Sequence, residues 1–235
     1  MKRPPRLYFS FRSPFSWMAL RRLEERLPDA PERIEYVPYW DPDEKLAAAL
    51  EERGSGFHYT QMSKAKHLYI LQDTKRLAQR YGYPMTWPID VDPWWDLPHL
   101  AWLRAKDTGV HRELYAAVCA ARWERGENVC EPEVLHAVLA EAGLDADGLV
   151  AAGTDDEVRA RGADALAAAY DDDVFGIPYF KLGRHRFWGL DRLDGFLDAL
   201  AGTLDVPVRD PLEGIPVAVR ERVGAYDFDT AGGCG

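Results

Sequence analysis

The chemistry available to this chain is most visible at residues 10–17, which read Ser-Phe-Arg-Ser-Pro-Phe-Ser-Trp. Serine is a preferred N-cap residue and proline is favoured at the first helical position, so Ser13 and Pro14 predict the start of a helix. The free N–H groups and the dipole at a helix N-terminus attract an anion such as a thiolate. A serine hydroxyl there can donate a hydrogen bond to the thiolate and lower the pKa of its thiol. The simpler alternative is that Ser13 only caps the helix.

Two further groups of polar residues are candidates for recognition. Asp191 suits the first turn of a helix, and the neighbouring Arg192 can bind a carboxylate through two hydrogen bonds. Lys66, Tyr69 and Asp73 are three and four residues apart, which places them on one face of a predicted helix. A plain helix start and a solvated ion pair are the alternative interpretations of these two groups.

A proline enters a predicted strand at residues 176–180, which read Gly-Ile-Pro-Tyr-Phe. Because Pro178 has no N–H, it must lie where a neighbouring strand needs no donor. An ordinary edge-strand proline preceded by Ile177 is the interpretation that requires no ligand.

The predicted elements give the order β–α–β, a long helical block, and then β–β–α. Strands are predicted at residues 7–11, 34–39, 176–182 and 185–188, and the last two form a hairpin around a Gly-Arg turn. After the helix that begins at Ser13, helices are predicted at residues 43–53, 59–81, 93–106, 110–125, 133–142, 155–170 and 191–200. This order is that of a thioredoxin-like α/β layout with a large all-helical insertion.

The composition narrows the class of protein. The chain has 235 residues, of which 47% are hydrophobic, enough for a packed core. Its 29 Lys and Arg against 39 Asp and Glu give a net charge of −10, which repels phosphate backbones and argues against nucleic acid as a partner. No apolar run approaches the roughly 20 residues needed to span a membrane, so we expect no membrane association.

The positions of the cysteines and histidines argue against a disulfide framework and a metal site. Cys119, Cys130 and Cys234 are widely separated and form no CxxC pattern, which predicts no disulfide framework and a reducing, cytoplasmic location. The six histidines lack metal-ligand spacing, and no glycine-rich nucleotide motif is present. We therefore expect neither a metal ion nor a nucleotide cofactor.

Three motifs, in this order along the chain, resemble the 2-hydroxychromene-2-carboxylate isomerase family and the related kappa-class glutathione transferases, which have a DsbA-like fold. Residues 13–17 are similar to the family's Ser-Pro-aromatic-Ser-aromatic motif, residues 174–178 to its Val-Phe-Gly-Val-Pro, and residues 187–193 to its Phe-Trp-Gly-polar-Asp-Arg-Leu. The resemblance extends from about residue 7 to residue 200. The chain departs from the family at Leu190, where a polar residue is usual, and in the insertion, where no Asn aligns.

The resemblance implies a role for each matched position. In a thioredoxin fold, the start of the first helix carries a CxxC sequence. Here the matching residues 13–16 read Ser-Pro-Phe-Ser, so the two end positions cannot carry out disulfide exchange. Ser13 would lie beside the sulfur of bound glutathione, or of another low-molecular-weight thiol, and activate it. Ile177, before a cis Pro178, would hold the cysteinyl part through its backbone. Asp191 would meet the γ-glutamyl ammonium, supported by Arg192.

Aromatic residues are candidates for the substrate pocket. The adjacent Trp94 and Trp95 cannot both point inward easily from one helix face, so one of them is expected to line a pocket suited to a flat aromatic substrate. We assign Phe15 and Tyr69 to the same pocket. The resemblance places Lys66 near the thiol or the substrate.

These observations lead to one expected organisation and function. Residues 1–40 and 171–200 would form the thioredoxin-like domain, residues 41–170 the helical insertion, and residues 201–235 a C-terminal extension. The expected activity is thiol-dependent isomerisation of an aromatic or unsaturated electrophile by reversible thiolate addition. A kappa-like glutathione transferase or peroxidase and a non-catalytic DsbA-like binding protein are the alternatives. The sequence itself gives no oligomeric state, and because the resembled families are commonly dimeric, the resemblance allows a homodimer.

Overall fold

A computed structural model describes residues 3–58 and 62–204, together with residues 214 and 216. The strands are β1 (Arg6–Phe9), β2 (Glu35–Pro38), β3 (Tyr179–Leu182) and β4 (His185–Trp188). The α-helices are α1 (Pro14–Arg26), α2 (Ala30–Arg33), α3 (Glu44–Glu52), α4 (Lys64–Tyr81), α5 (Asp96–Thr108), α6 (His111–Cys119), α7 (Pro132–Glu141), α8 (Ala146–Ala151), α9 (Asp156–Asp171) and α10 (Leu193–Ala201). A π-helical segment, Ala120–Arg125, continues α6, and a 3-10 turn, Leu190–Arg192, precedes α10. Most of the predicted C-terminal extension, with Cys234, lies outside the described residues.

The four strands form one mixed sheet in the order β2-β1-β3-β4. Strand β1 runs parallel to β2, whereas β3 is antiparallel to both β1 and β4. Tyr8 lies opposite Tyr179, which in turn lies opposite Trp188. The C-terminal ends of β1, β2 and β4 and the N-terminal end of β3 therefore lie at the same end of the sheet, which we call its upper end.

Helices cover both faces of the sheet. Because side chains alternate along a strand, Tyr8 and Tyr179 point to one face and Phe180 to the other. On the first face, the Tyr8 hydroxyl donates a hydrogen bond to Asp172, just after α9, at 2.6 Å. On the second face, Phe180 packs on Phe196 of α10, with ring centroids 4.9 Å apart.

Asp172 ties the end of α9 to two strands. Its side chain is 3% exposed and accepts hydrogen bonds from Arg6, at 3.1 Å, and from Lys181 as well as from Tyr8. Arg6 and Lys181 lie directly opposite each other on β1 and β3, a placement in which like charges repel. Burial alone would raise the pKa of Asp172, but the hydrogen bonds from Lys181, Tyr8 and Arg6 lower it below the ordinary value.

The helices between β2 and β3 share one hydrophobic core with the sheet. Trp102 of α5 packs edge-to-face on Phe9 of β1, with centroids 5.1 Å apart. Helix α9 approaches α5 closely at Gly162, where an added Cβ would lie 2.7 Å from Leu100. The division of the chain into a discontinuous domain and an insertion stays a prediction. Within the described residues, no helix is both long enough and apolar enough to cross a membrane.

The predicted strands and helices all occur, and in the predicted order, with two further helices between them in the described chain. Helix α1 begins directly after Ser13, and the β3–β4 hairpin turns at Gly183, whose φ is 59°. Helices α2 and α8 and the π-helical character of Ala120–Arg125 were not predicted. The helical signal of α8 is weak because the helix has only six residues, one of which is Gly148.

Candidate functional site

The three motifs singled out in the sequence converge at the upper end of the sheet. Residues 10–13 connect the end of β1 to α1, Ile177 and Pro178 immediately precede β3, and the 3-10 turn Leu190–Arg192 follows β4. This turn also packs against α1. The sheet topology thus brings together segments that are more than 160 residues apart in the chain.

Ser13 caps α1 in a way that leaves its hydroxyl proton available. Its Oγ accepts the N–H of Ser16 at 3.1 Å, and its carbonyl accepts the N–H of Trp17 at 3.1 Å. Pro14 has no N–H. Among the described residues, the N–H of Phe15 has no acceptor. The N-terminus of α1 therefore offers two donors to an anion, the Ser13 hydroxyl and the Phe15 N–H.

A buried histidine, which the sequence analysis did not identify, supports this loop. His99 of α5 is fully buried, and its Nε2 lies 3.1 Å from both the Phe11 nitrogen and the Ser10 Oγ. Its Nδ1 lies 2.6 Å from the carbonyl oxygen of Trp95. Since His99 and Ser10 are 89 residues apart, no local sequence signal could have identified this contact.

The segment before β3 presents backbone groups and an aromatic side chain. The Ile177–Pro178 peptide bond is cis, as the resemblance implied, and the Pro178 carbonyl accepts the N–H of Gly189 at 2.9 Å. Neither the N–H nor the carbonyl of Ile177 has a hydrogen-bond partner within residues 3–58 and 62–204. Phe175 is 54% exposed and packs edge-to-face on Trp188, with centroids 4.9 Å apart.

Asp191 and Arg192 are exposed at this same end of the sheet and form an ion pair with each other, Nη1 to Oδ2 at 2.6 Å. The preceding Leu190 is 7% exposed and packs in the core. The turn thus offers a carboxylate and a guanidinium to solvent, while the position at which the family usually has a polar residue points inward.

The predicted residues on α4 lie on its exposed surface. Helix α4 packs against α1, and both Lys66 and Tyr69 are exposed, Tyr69 by 57%. Asp73 pairs with Arg76 at 3.0 Å. No hydrogen bond or ion pair in the described chain joins Lys66 to Ser13, so its assignment to the site stays a prediction.

The two adjacent tryptophans have different environments. Trp95 is 4% exposed and lies beneath the guanidinium of Arg122, which is 4.6 Å from the ring centroid. Trp94 is half-buried, and its Nε1–H donates to Asp43 at 3.3 Å. Phe15 is also half-buried, on the first turn of α1. Of the four residues assigned to the substrate pocket, Trp95 is enclosed in the core. Phe15, Tyr69 and Trp94 keep part of their surface exposed.

Arg122 is a second buried polar residue that the sequence did not mark as functional. It lies in the π-helical segment, its side chain is 3% exposed, and it binds Asp90 through two hydrogen bonds of 2.8 Å. Its guanidinium is also 4.7 Å from the ring centroid of Trp123. Short π-helical segments within α-helices are frequent near functional sites.

Comparison with known proteins agrees with this geometry. A family model described as a DSBA-like thioredoxin domain matches residues 6–201. The chain belongs to the DSBA-like thioredoxin family. The expected fold, a DsbA-like thioredoxin fold with extensive helical content between its β–α–β and β–β–α parts, is confirmed.

Among members of this family, the chain is similar to proteins named 2-hydroxychromene-2-carboxylate isomerase. It is 30% identical over 198 residues to the one from Sphingobium xenophagum, covering 82% of this chain and 94% of that one. It is 29% identical over 196 residues to the one from Pseudomonas putida, covering 79% and 88%. A solved structure of a 2-hydroxychromene-2-carboxylate isomerase aligns with a TM-score of 0.65 at 21% identity, over 95% of this chain and 99% of that one. The chain is therefore an isomerase-like member of the DSBA-like family, as the motifs indicated.

Proposed function

We propose that this chain is a small-thiol-dependent isomerase of the 2-hydroxychromene-2-carboxylate isomerase type that uses glutathione or another low-molecular-weight thiol. The observation that carries the proposal is the cap of α1. Because Ser13 Oγ accepts the Ser16 N–H, its own proton is left to donate, and two residues further on the Phe15 N–H has no acceptor among the described residues. Two free donors at the positive end of a helix favour a thiolate over a thiol.

The residues at the upper end of the sheet fit a γ-glutamyl-cysteinyl thiol. The unpaired N–H and carbonyl of Ile177 suit the backbone of a cysteinyl residue, which would bind as a short added strand. The exposed carboxylate of Asp191 suits an ammonium group, and Arg192 supports that carboxylate at 2.6 Å. When bound, the thiolate supplies reversible addition to an unsaturated electrophile, which permits rotation about the former double bond before elimination restores it, with no net oxidation.

The residues of the chain contribute binding and orientation to this chemistry. Ser13 and Phe15 hold the sulfur in its charged form, Ile177 fixes the direction of the thiol, and Phe15 offers its ring to a flat substrate. The names of the relatives support an aromatic or unsaturated electrophile as the partner of this chain. We also propose a cytoplasmic location, since a reducing compartment keeps such a thiol available, and a homodimeric state.

One feature favours a second candidate function. Leu190 is buried and offers no polar group where the family usually supplies one. A DsbA-like binding protein that has lost the chemistry is consistent with this substitution, and it predicts that no small thiol binds. A kappa-like transferase would instead bind the thiol and retain the adduct as product.

Calorimetric titration of glutathione tests the proposal. We expect the wild-type protein to bind, Asp191→Ala to weaken binding, and Ser13→Ala to raise the pKa of the bound thiol by about 1 to 2 units, since a hydrogen bond to a charged group contributes about 1.5–3 kcal/mol. Asp145→Ala removes an equivalent side-chain cap from α8 and is the control for lost helix stability. An unchanged thiol pKa in Ser13→Ala would show that Ser13 does not activate the sulfur.

Product analysis separates the three candidates. With 2-hydroxychromene-2-carboxylate and a catalytic amount of glutathione, an isomerase converts substrate while the thiol is regenerated. Stoichiometric thiol consumption with an aryl halide or a hydroperoxide would indicate the transferase or peroxidase. Failure of the wild-type protein to bind any of a panel of cellular thiols would leave the binding protein.

A further inference from the structure

The loop between β1 and α1 is anchored to α5 by one imidazole. The Phe11 N–H donates to His99 Nε2 at 3.1 Å, so Nε2 carries no proton and also accepts the Ser10 hydroxyl at 3.1 Å. The proton of the ring lies on Nδ1, which donates to the Trp95 carbonyl at 2.6 Å. This hydrogen-bond network assigns the tautomer.

The same network satisfies the remaining amides of the loop. Ser10 Oγ accepts the Arg12 N–H, and the Ser10 carbonyl accepts the Ser13 N–H, each at 3.2 Å. The N–H groups of residues 11, 12 and 13 are therefore all bonded to His99 or Ser10. They cannot turn toward a ligand while these bonds persist, which leaves the Ser13 hydroxyl and the Phe15 N–H as the outward donors.

The surroundings of His99 enclose its ring and keep it neutral. Its ring stacks on Trp40, with centroids 4.9 Å apart and an angle of 8° between planes, and it contacts Phe11 at 5.1 Å. Burial lowers the pKa of His99 to about 3, and the positive charge of Arg122 adds to this effect against the hydrogen bond to Trp95. The imidazole thus remains a hydrogen-bond acceptor over the whole physiological pH range.

We propose that His99 is a positioning residue for thiol activation, which fixes the loop at Ser10 and Phe11 so that the Ser13 hydroxyl meets the sulfur. The effect on the thiol rests on the proposed function, whereas the anchoring of the loop does not. His99 touches neither thiol nor substrate in this arrangement, and it acts through the backbone of residues 10–13.

Two substitutions of His99 separate its two hydrogen-bonding nitrogens. The glutamine amide of His99→Gln extends to the position of Nε2 and can still accept the Phe11 N–H. The shorter amide of His99→Asn replaces only Nδ1 and leaves the Phe11 N–H without an acceptor. In the unliganded protein we expect hydrogen exchange of the Phe11 and Arg12 amides to be roughly tenfold faster in His99→Asn than in His99→Gln, which corresponds to about one hydrogen bond.

The pKa of bound glutathione is the second measurement. We expect it to rise by about 1 unit in His99→Asn and to return toward the wild-type value in His99→Gln. Ser10→Ala, a milder change that removes the Ser10 hydroxyl from the same nitrogen, should raise this pKa in the same direction even if His99→Asn folds poorly. His136→Asn, on the surface of α7, is the matched control and should change neither measurement.

The outcomes distinguish this inference from the proposed function. Equal amide exchange in His99→Asn and the wild-type protein would overturn the anchoring role. Faster exchange with an unchanged thiol pKa would overturn the positioning role. If the wild-type protein binds no thiol, the proposed function and the thiol part of this inference both fall, while faster exchange in His99→Asn would still support the anchoring.

Discussion

Asp172→Asn should destabilise the junction between the end of α9 and the sheet. The carboxylate of Asp172 lies between Arg6 and Lys181, which face each other across β1 and β3, and it also accepts the Tyr8 hydroxyl at 2.6 Å. Asparagine keeps the shape and one acceptor for Tyr8 but removes the negative charge. The two facing cations, Arg6 and Lys181, then lose the negative charge that offsets their repulsion.

The expected loss of stability follows from the two hydrogen bonds that the Asp172 carboxylate accepts from charged groups, those of Arg6 and Lys181. Each contributes about 1.5–3 kcal/mol. The side chains of Arg6 and Lys181 keep 17% and 21% of their surface exposed, and Arg6 retains Glu35 at 2.8 Å, so water and Glu35 compensate part of the loss. The cost of burying the charge of Asp172 is also removed. We therefore expect Asp172→Asn to lower the free energy of unfolding by about 2–3 kcal/mol.

Urea unfolding over a range of pH measures this effect, with the neighbouring exposed Asp171→Asn as the control. Because the pKa of Asp172 is lower in the folded than in the unfolded protein, its contribution is complete above the ordinary carboxyl pKa of about 4 and is lost as the pH falls below it. The difference between wild-type protein and Asp172→Asn should be constant from about pH 5 to pH 8 and shrink below about pH 4. A loss below about 0.5 kcal/mol, or an equal loss in both variants, would refute this reasoning.

Two further measurements test the packing of the core and the burial of its cysteines. Phe196→Ala removes a fully buried ring that packs on the aromatic residues of β3 and β4, and it should lower the free energy of unfolding by about 3–5 kcal/mol without changing the dependence on urea. Burial raises the pKa of Cys119 to about 12 and that of Cys130 well above its ordinary value, so in a Cys234→Ser variant both thiols should resist a disulfide reagent at neutral pH until the protein is unfolded. Rapid labelling of the native variant would contradict their burial.

The parts of the fold that could be predicted depend on neighbours in the sequence. Ser13 caps α1 through the N–H of Ser16, only three residues further on. The β3–β4 hairpin needs a positive φ at its turn, and Gly183 adopts one at 59° without the strain of a side chain. The cis Pro178 was predicted only through the family resemblance, because local sequence does not determine such a bond.

The missed features depend on partners that are distant in sequence. Residues 120–125 were predicted as ordinary helix, yet Arg122 there binds Asp90, 32 residues earlier. His99 has no metal-ligand spacing to distinguish it in the sequence, and its partner Ser10 is 89 residues away. The argument that Trp94 and Trp95 differ in orientation agrees with the burial of Trp95, but the sequence could not indicate which of the two would be enclosed.

The two serines at the ends of the Ser-Pro-Phe-Ser sequence differ in a way that bears on the proposed reaction. Ser16 is fully buried, and its Oγ accepts the Ser10 N–H at 3.4 Å, so it serves the structure of the loop. Ser13 is partly exposed at the cap, with its proton available. In a dithiol enzyme, a thiol bound to the first cysteine as a mixed disulfide is released when the second cysteine attacks the sulfur of the first. With serine at both positions the protein can form no mixed disulfide, so the thiol that we propose binds at Ser13 would dissociate without having exchanged its sulfur. The free donors at the start of α1, together with the lack of a sulfur at residues 13 and 16, suit the proposed reversible addition rather than disulfide exchange.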